Sequence, residues 1–246
     1  MINLNNKIIV VTGGSGLLGN AILNEIIQSG GIAINIDINI KTNLKKRTIY
    51  CDITNSKKLQ SVIQMILNEY GKIDGWVNNA YPRTPDWNQD FEKISINSWK
   101  KNIDIQLNSV FSCCQKVLIE MKKQGFGNIV NIGSIYGIVG PNFDIYENTK
   151  FTMPAAYSAI KGGVITFTKY LASYYGKYNI RVNCVSPGGI FNNQSDEFIK
   201  KYETKTPLKK MAKAEQISPA IVFLLSDSAE YITGHNLIVD GGWTII

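Results

Sequence analysis

Histidine and paired cysteine are the residues that this sequence most lacks. His235 is the one histidine among 246 residues, and the four cysteines show no paired spacing of the kind that holds a metal ion. We therefore predict no metal site and interpret His235 as a surface or interface residue. Cys113 and Cys114 are adjacent within a segment of helical pattern, which predicts reduced, buried thiols.

Long apolar runs are also missing. No stretch approaches the roughly 20 residues that cross a bilayer, and residues 1–16 lack the charged segment, apolar run and small-residue cleavage site of a secretory signal. The sequence therefore predicts a cytoplasmic protein without a membrane partner. Its composition, 44% hydrophobic and 18% charged, is typical of a globular domain.

Acidic residues are outnumbered by basic ones, and the formal net charge is +7. The basic residues are scattered, with only short clusters such as 45–47 and 200–201, and no aromatic-basic motif of an RNA-binding protein is present. An acidic small molecule or simple solubility explains the excess as well as nucleic acid does. We predict no nucleic-acid partner.

Apolar segments of two kinds alternate along the chain. Short β-branched runs between turn residues predict strands at 7–12, 32–37, 48–51, 74–80, 128–133, 181–186 and 237–240. Helical spacing of apolar residues predicts helices at 17–29, 55–70, 95–123 and 155–178. Such alternation requires a parallel sheet covered on both faces. We therefore predict the α/β fold class, as one Rossmann-type doubly wound domain over residues 1–246.

A glycine pattern, G-x-G-x-x-G at 14–19, follows the first predicted strand and opens the first helix. Glycines allow the backbone to approach a pyrophosphate, and the helix N-terminus offers free N–H groups to the anion. Asp37 ends the second strand about 20 residues downstream, where a carboxylate binds the adenosine ribose hydroxyls. No basic residue stands at Ser15 or Ile38 to bind a 2′-phosphate, so we predict NAD in preference to NADP.

Tyr157 precedes Lys161 by four positions in the segment MPAAYSAIKGG, 153–163. On a helix these two side chains share one face. A cation near a phenol favours the phenolate and lowers a pKa that is ordinarily near 10. Ser134 follows a predicted strand and would present its hydroxyl at the carboxyl edge of the sheet, where ligands bind. Taken alone, the Tyr/Lys pair also fits the surface of an amphipathic helix.

Taken together, the motifs resemble the short-chain dehydrogenase/reductase family over nearly the whole chain. The glycine turn, Asp37, N-N-A at 78–80, Ser134, Tyr157-x-x-x-Lys161 and P-G-G-I at 187–190 occur in the family's order. The resemblance implies that Tyr157 is the acid/base, that Lys161 holds the nicotinamide ribose, and that Ser134 hydrogen-bonds the reacting oxygen.

The resemblance also implies the cofactor contacts and the assembly. The cofactor-binding residues would be Gly13, Ser15, Gly16, Leu17, Leu18, Gly19, Asp37, Asp52, Ile53, Asn79, Ala80, Tyr157, Lys161, Pro187, Gly188 and Ile190. The tail at 232–242 is similar to a family segment that packs at a subunit interface. A homotetramer or homodimer is therefore expected.

Two departures from the family pattern bear on the site. Leu17 stands at the middle glycine of the family's T-G-x-x-x-G-x-G turn, although Gly13, Gly16 and Gly19 remain. Gln106 stands where the family commonly carries an asparagine that holds a water in the proton relay, so Gln106 is a fourth candidate catalytic residue. Asn102 or Asn108 could replace it only in a different register.

The segment between Ser134 and Tyr157 is longer than the family usually has, and the extra residues lie within 140–154. Loops at the ligand end of a sheet commonly set specificity. Tyr146 and Asn148 are candidate substrate contacts there, within a polar set that is completed by Asp144, Glu147 and Lys150. A solvated surface flap is the alternative interpretation.

A second pair of candidate substrate contacts replaces the family's usual glycine after N-N-A. Tyr81 adds an aromatic ring, and Arg83 adds a cation that suits a phosphate or carboxylate on the substrate. Together with YENTKFTMP at 146–154, this segment is similar to a bacterial subgroup found with surface-sugar and flagellin-glycan biosynthesis. We therefore expect a small-molecule substrate that is a sugar or sugar acid.

The sequence thus predicts an NAD-dependent oxidoreductase that interconverts a secondary alcohol and a ketone on a polar substrate. A 3-oxoacyl carrier-protein reductase is one alternative, since the same core motifs permit it. A non-catalytic dinucleotide-binding sensor is another.

Overall fold

A computed structural model describes residues 2–149 and 152–246. Within these ranges the strands are β1 (Ile8–Thr12), β2 (Ile32–Asp37), β3 (Thr48–Tyr50), β4 (Gly75–Asn78), β5 (Gly127–Ile132), β6 (Ile180–Pro187) and β7 (Asn236–Val239). They form one parallel sheet in the order β3-β2-β1-β4-β5-β6-β7. The order reverses between β1 and β4, which places a crevice at their carboxyl ends.

The helices in the same ranges cover both faces of the sheet. They are α1 (Leu17–Gln28), α2 (Ser56–Tyr70), α3 (Ile96–Ile103), α4 (Ser109–Gln124), α5 (Ala155–Tyr175), α6 (Asp196–Thr204) and α7 (Ser218–Leu225). The predicted Rossmann-type α/β fold is confirmed.

Alternation along the strands divides the core into two layers. In β1, Ile8 and Val10 belong to the layer under α2, α4 and α5, and Ile9 and Val11 belong to the layer under α1 and α7. All four side chains are at most 4% exposed. Because both faces of the sheet are covered, its central strands read as continuous apolar runs.

Several element boundaries differ from the sequence predictions. The single helix predicted at 95–123 is α3 and α4 joined by a π-helical turn, Asp104–Asn108. Helices α6 and α7 were not predicted. Helix α7 is apolar on nearly all sides because it is buried, so it has no amphipathic period to detect. Strand β4 ends at Asn78, before the predicted end at residue 80.

None of the helices in the described ranges combines the length and apolarity that a bilayer crossing demands. The four cysteines are unpaired and buried, as predicted.

A buried chain of hydrogen bonds connects the middle of the sheet to α5. The indole N–H of Trp76 donates to Asn78 Oδ1 (2.8 Å), and Asn78 Nδ2 donates to Asn131 Oδ1 (2.7 Å). Asn131 Nδ2 then donates to Thr168 Oγ1 (2.9 Å), whose hydroxyl donates to the Val164 carbonyl (2.9 Å). Side-chain polar groups thereby fix the position of α5 relative to β4 and β5.

Replacement of Asn131 by alanine should leave the Asn78 amide and the Thr168 hydroxyl with one partner fewer in the core. We expect Asn131→Ala to lower the free energy of unfolding by about 2–4 kcal/mol, measured by urea denaturation followed by tryptophan fluorescence. Asn97→Ala, at an exposed position of α3, is the control and should change it by less than about 0.5 kcal/mol. Equal effects of the two changes would show that the chain of hydrogen bonds does not stabilise the fold.

Candidate active site

Two connected cavities open at the carboxyl edge of the sheet. We call the first the outer groove; it has a volume of about 540 Å³. Its wall carries the sequence-predicted residues Gly13, Ser15, Gly16, Leu17, Leu18, Gly19, Asp37, Asp52, Ile53, Asn79 and Ala80. We call the second the inner pocket, of about 350 Å³; its wall carries Ser134, Tyr146, Tyr157, Lys161, Pro187, Gly188 and Ile190. Leu18, Asn79 and Tyr81 line both, so the two cavities are continuous.

At the floor of the outer groove, the backbone of the glycine turn lies close to the backbone of Ala80, and the two ends of the turn lie close to each other. Gly13 has φ +66°, and a Cβ there would lie 2.7 Å from Ala80 Cα. A Cβ on Gly19 would lie 2.7 Å from Gly14 Cα. Both positions therefore require glycine. Leu17 is 48% exposed and begins α1, so its side chain replaces the family's glycine without crowding the turn.

Asp37 is held beside the glycine turn. Its Oδ2 accepts a hydrogen bond from the Ser15 N–H (3.0 Å) and its Oδ1 accepts one from the Asn39 N–H (2.9 Å). The carboxylate still forms part of the groove wall. It therefore places acceptor oxygens beside the groove, and their contact with an adenosine ribose stays a prediction.

Asn79 braces the ends of β1 and β4. Its Nδ2 donates to the carbonyls of Thr12 (3.1 Å) and Gly13 (3.0 Å), and the Thr12 hydroxyl accepts the N–H groups of Asn79 (3.0 Å) and Ala80 (3.1 Å). These bonds pull residues 79 and 80 out of the strand, which explains the early end of β4. This role of Thr12 was not predicted from the sequence. The feature that could have indicated it is a hydroxyl residue directly before the glycine turn.

Ser134, Tyr157 and Lys161 meet at the end of the inner pocket. Ser134 lies two residues after the end of β5, and its Oγ accepts the Tyr136 N–H (3.2 Å). Tyr157 and Lys161 lie in the first two turns of α5. Lys161 Nζ donates to the Ile132 carbonyl (2.7 Å) and lies 5.6 Å from the centre of the Tyr157 ring.

Burial dominates the electrostatics of this trio. It raises the pKa of the Tyr157 phenol, and a hydrogen bond with Ser134 acts in the opposite direction. Burial also lowers the pKa of Lys161 to about 8. The lowering of the Tyr157 pKa by Lys161 that the sequence predicted is not seen in the unliganded site, where the net shift is upward. The physical reason is that the ammonium group is directed to the Ile132 carbonyl and to the face of the ring.

Two further aromatic rings surround the phenol. Tyr81 and Trp87 meet the Tyr157 ring edge-on, with centroid distances of 5.6 and 6.4 Å. Trp87 is 7% exposed, and the sequence analysis missed it because a tryptophan in a proline-containing loop has no periodic signal. The rings of Tyr81 and Trp87 restrict water around the phenol and contribute to its desolvation.

Gln106 lies in the π-helical turn and is 4% exposed. Neither its Oε1 nor its Nε2 has a hydrogen-bond partner among the described residues. Asn102 and Asn108, the two asparagines that could take the place of Gln106, have other partners. Asn102 Nδ2 donates to Thr84 Oγ1 (2.8 Å) and Asn108 Nδ2 donates to Asp104 Oδ1 (3.1 Å). Gln106 is not on the wall of the inner pocket, so any part it takes in the reaction is indirect.

Tyr146, Thr152 and Met153 of the inserted segment line the inner pocket, whereas Phe143, Asp144, Glu147 and Asn148 of the same segment are exposed. Ile145 and Tyr146 are buried, and the Tyr146 hydroxyl donates to the Tyr136 hydroxyl (3.1 Å). The Tyr146 ring lies 5.5 Å from the Phe198 ring of α6, and Lys201 Nζ donates to the Glu147 carbonyl (3.1 Å). The insertion and α6 thus form one wall.

Two of the predicted substrate contacts, Asn148 and Arg83, do not line the inner pocket. Asn148 is exposed, has φ +62°, and lies outside the wall of the inner pocket, so its place in the sequence reflects a turn. Asp144 and Glu147 are exposed as well, and Lys150 lies outside the described residues. Arg83 lines the outer groove and not the inner pocket, and its contact with the substrate stays a prediction.

The structure adds residues that sequence reasoning did not find. Tyr202 from α6 lines the inner pocket, accepts the Gly189 N–H, and stacks on Trp243 with a centroid distance of 4.5 Å. Asn192 lines the outer groove. Tyr202 was missed because α6 is short and highly charged. The only available signal for Asn192 was its place shortly after P-G-G-I.

Known proteins share this architecture over the full length of the chain. A family model described as enoyl-(acyl carrier protein) reductase matches residues 38–244. The post-translational flagellin modification protein A of Campylobacter coli is 38% identical, with 98% of this chain and 99% of that protein covered. The 7alpha-hydroxysteroid dehydrogenase of Bacteroides fragilis is 32% identical, with 98% and 95% covered.

A solved structure also matches this chain over nearly its full length. The short chain dehydrogenase of Leptospira borgpetersenii serovar Hardjo-bovis, solved with bound NAD+, superposes with a TM-score of 0.89 at 35% identity and covers 99% of this chain and 94% of that one. Fold, motif order and full-length similarity agree. The chain belongs to the short-chain dehydrogenase/reductase family and is an oxidoreductase that acts on CH–OH groups.

Proposed function

We propose that this protein is an NAD-linked oxidoreductase that interconverts a secondary alcohol and a ketone on a polar, carbohydrate-type substrate. One observation supports the proposal above the others. Ser134, Tyr157 and Lys161 converge at one end of a pocket that continues into a glycine-floored groove ending at Asp37.

The residues present fit a nicotinamide dinucleotide. The glycine turn leaves a cradle that a Cβ would fill, next to the N-terminus of α1. Asp37 would hold the adenosine ribose, Asp52 and Ile53 would flank the adenine, and Pro187 and Ile190 would border the nicotinamide. When bound, the cofactor supplies or accepts a hydride, and every proton in the reaction is left to the protein.

The chain's own residues supply the proton chemistry. Because burial raises the pKa of Tyr157, the phenol is neutral at pH 7 and can donate its proton to an oxygen that becomes negative during ketone reduction. Ser134 would hydrogen-bond the same oxygen. Lys161 would bind the nicotinamide ribose and return the proton to the phenol.

Gln106 would act through this trio rather than on the substrate. Its amide is buried without a hydrogen-bond partner among the described residues, beside the helix that carries Tyr157. A buried amide in this state is suited to bind a water molecule. The proposal assigns Gln106 the positioning of a water that connects Lys161 to solvent.

The character of the inner pocket supports a neutral, hydroxylated substrate at the reacting end. Lys161 is the one charged side chain among its described lining residues. Tyr136, Tyr146 and Tyr202 combine aromatic faces with hydroxyl groups, a mixture typical of sites for small polar rings. The name of the Campylobacter coli relative, a post-translational flagellin modification protein, supports a role in the modification of a protein.

Two other functions remain as competitors. The family model's description favours an acyl carrier-protein thioester as the second candidate substrate. A non-catalytic dinucleotide sensor is the third, and the complete Ser/Tyr/Lys trio argues against it.

A second copy of this chain is the partner that the surface supports. Helices α4 and α5 expose Phe111 (48%), Tyr170 (61%) and Tyr174 (52%), and their rings contact one another through Phe167 and in the stack of Tyr170 on Tyr174. Adjacent exposed aromatic residues commonly mark a protein interface. The proposal therefore includes a homodimer or homotetramer.

The carboxylate of Asp37 should select NADH over NADPH, because it accepts the ribose hydroxyls and repels a 2′-phosphate. We expect NADH to bind at least about tenfold more tightly in titrations followed by tryptophan quenching, and Asp37→Ser to remove most of that difference. Glu69→Gln, an exposed carboxylate outside the groove, should leave both affinities unchanged. Tighter binding of NADPH by the unmodified protein would contradict the cofactor assignment.

Removal of the Tyr157 hydroxyl should remove the proton donor and leave the groove intact. Sugar phosphates, nucleotide sugars, nonulosonate precursors and an acetoacetyl thioester form the substrate panel. With the substrate that the unmodified protein turns over fastest, we expect Tyr157→Phe to reduce kcat by about 10²–10⁴-fold and to change the Kd for NADH by less than about twofold.

Tyr231→Phe, which removes the hydroxyl of a fully exposed tyrosine outside both cavities, is the matched control and should retain full activity. Turnover that survives Tyr157→Phe would refute the catalytic assignment. Turnover of the thioester alone would refute the carbohydrate substrate.

A further inference from the structure

Arg83 is the one basic residue among the described residues that line the outer groove. The other charged side chains on that wall, Asp37 and Asp52, are acidic. The positive charge of Arg83 is not neutralised by a carboxylate of the protein, because no salt bridge among the described residues includes Arg83. The nearby Asp86 carboxylate is bonded to Thr84 and Ser98 instead.

The Tyr81 ring fixes the position of the guanidinium. Arg83 Cζ lies 5.6 Å from the centre of that ring, close enough for a cation–π contact. The ring itself is held edge-on by Trp87 (5.8 Å) and Tyr157 (5.6 Å). A cation–π contact of this kind leaves the N–H groups of arginine free to bind an anion.

Tyr81 also lies where the two cavities adjoin, because it lines both the outer groove and the inner pocket. Arg83, which contacts the Tyr81 ring, therefore lies on the part of the outer groove that adjoins the inner pocket. A dinucleotide has its two negative charges in the same place, on the diphosphate that joins its two nucleosides. Its adenosine end is neutral, and its nicotinamide end carries no anion.

We propose that Arg83, positioned by Tyr81, binds the diphosphate of the dinucleotide. The assignment rests on the proposed cofactor role of the outer groove. The glycine turn supplies backbone N–H groups from one side, and Arg83 supplies a bidentate cation from the other. An anionic group of the substrate is the competing ligand, and the position of Arg83 outside the inner pocket disfavours it.

Fragments of the cofactor separate these possibilities. Isothermal titration with ADP, adenosine and NADH compares the unmodified protein with Arg83→Gln, Arg83→Lys and the control Lys45→Gln. Lys45→Gln removes the same charge from an exposed position outside the groove. We expect Arg83→Gln to weaken ADP and NADH by about tenfold and adenosine by less than about twofold.

Arg83→Lys should give an intermediate loss, because a lysine keeps the charge without the bidentate geometry. Between 50 and 300 mM NaCl, ADP affinity should fall more for the unmodified protein than for Arg83→Gln. Lys45→Gln should match the unmodified protein throughout.

Two results would overturn the assignment while leaving the proposed function intact. The first is unchanged binding of ADP and NADH by Arg83→Gln, with or without a raised KM for an anionic substrate. The second is an equal loss for adenosine and ADP, which would indicate a general distortion of the groove. If the unmodified protein binds neither NADH nor ADP, the cofactor role itself is wrong, and the assignment fails with it.

Discussion

The bond from Lys161 to the carbonyl of Ile132 is the contact on which the site depends. It joins the second turn of α5 to the last residue of β5, with an N–O distance of 2.7 Å. Ser134 follows that strand and Tyr157 precedes Lys161 by one turn, so this one bond sets the distance between the hydroxyl and the phenol. The buried bonds from Asn131 to Thr168 hold the same helix further along its length. The site is thus built on rigid elements rather than on loops.

Burial then sets the protonation state of the assembled residues. The same enclosure raises the pKa of the Tyr157 phenol and lowers that of the Lys161 ammonium group, because each shift favours the neutral form. Below pH 8 the lysine stays mostly charged, and the phenol keeps its proton at any physiological pH. A neutral phenol is the form that the proposed reduction of a ketone needs.

Local signals in the sequence were sufficient for the sheet and for the groups nearest the chemistry. The G-x-G-x-x-G turn, Asp37 and the Tyr157/Lys161 spacing each depend on a few neighbouring residues. The structure places all of these residues except Gly14 on the walls of the two cavities. The substrate side was harder to predict, since α6, the insertion and the Trp87 loop come together only through tertiary packing. Asn148 has the positive φ of a turn residue, and Arg83 lines the outer groove rather than the inner pocket. Neither outcome has a periodic or local signature.

The most direct test of this account is the pKa of the Tyr157 phenol in the unliganded protein. It can be measured by NMR with ¹³C-labelled tyrosine, with the signal assigned by its loss in Tyr157→Phe. The account predicts a titration above pH 10, and a still higher value in Ser134→Ala, because the serine hydroxyl bonds the phenol and opposes the effect of burial. A titration at or below pH 10 in the unliganded protein would contradict it and would restore Lys161 as the dominant influence on the phenol.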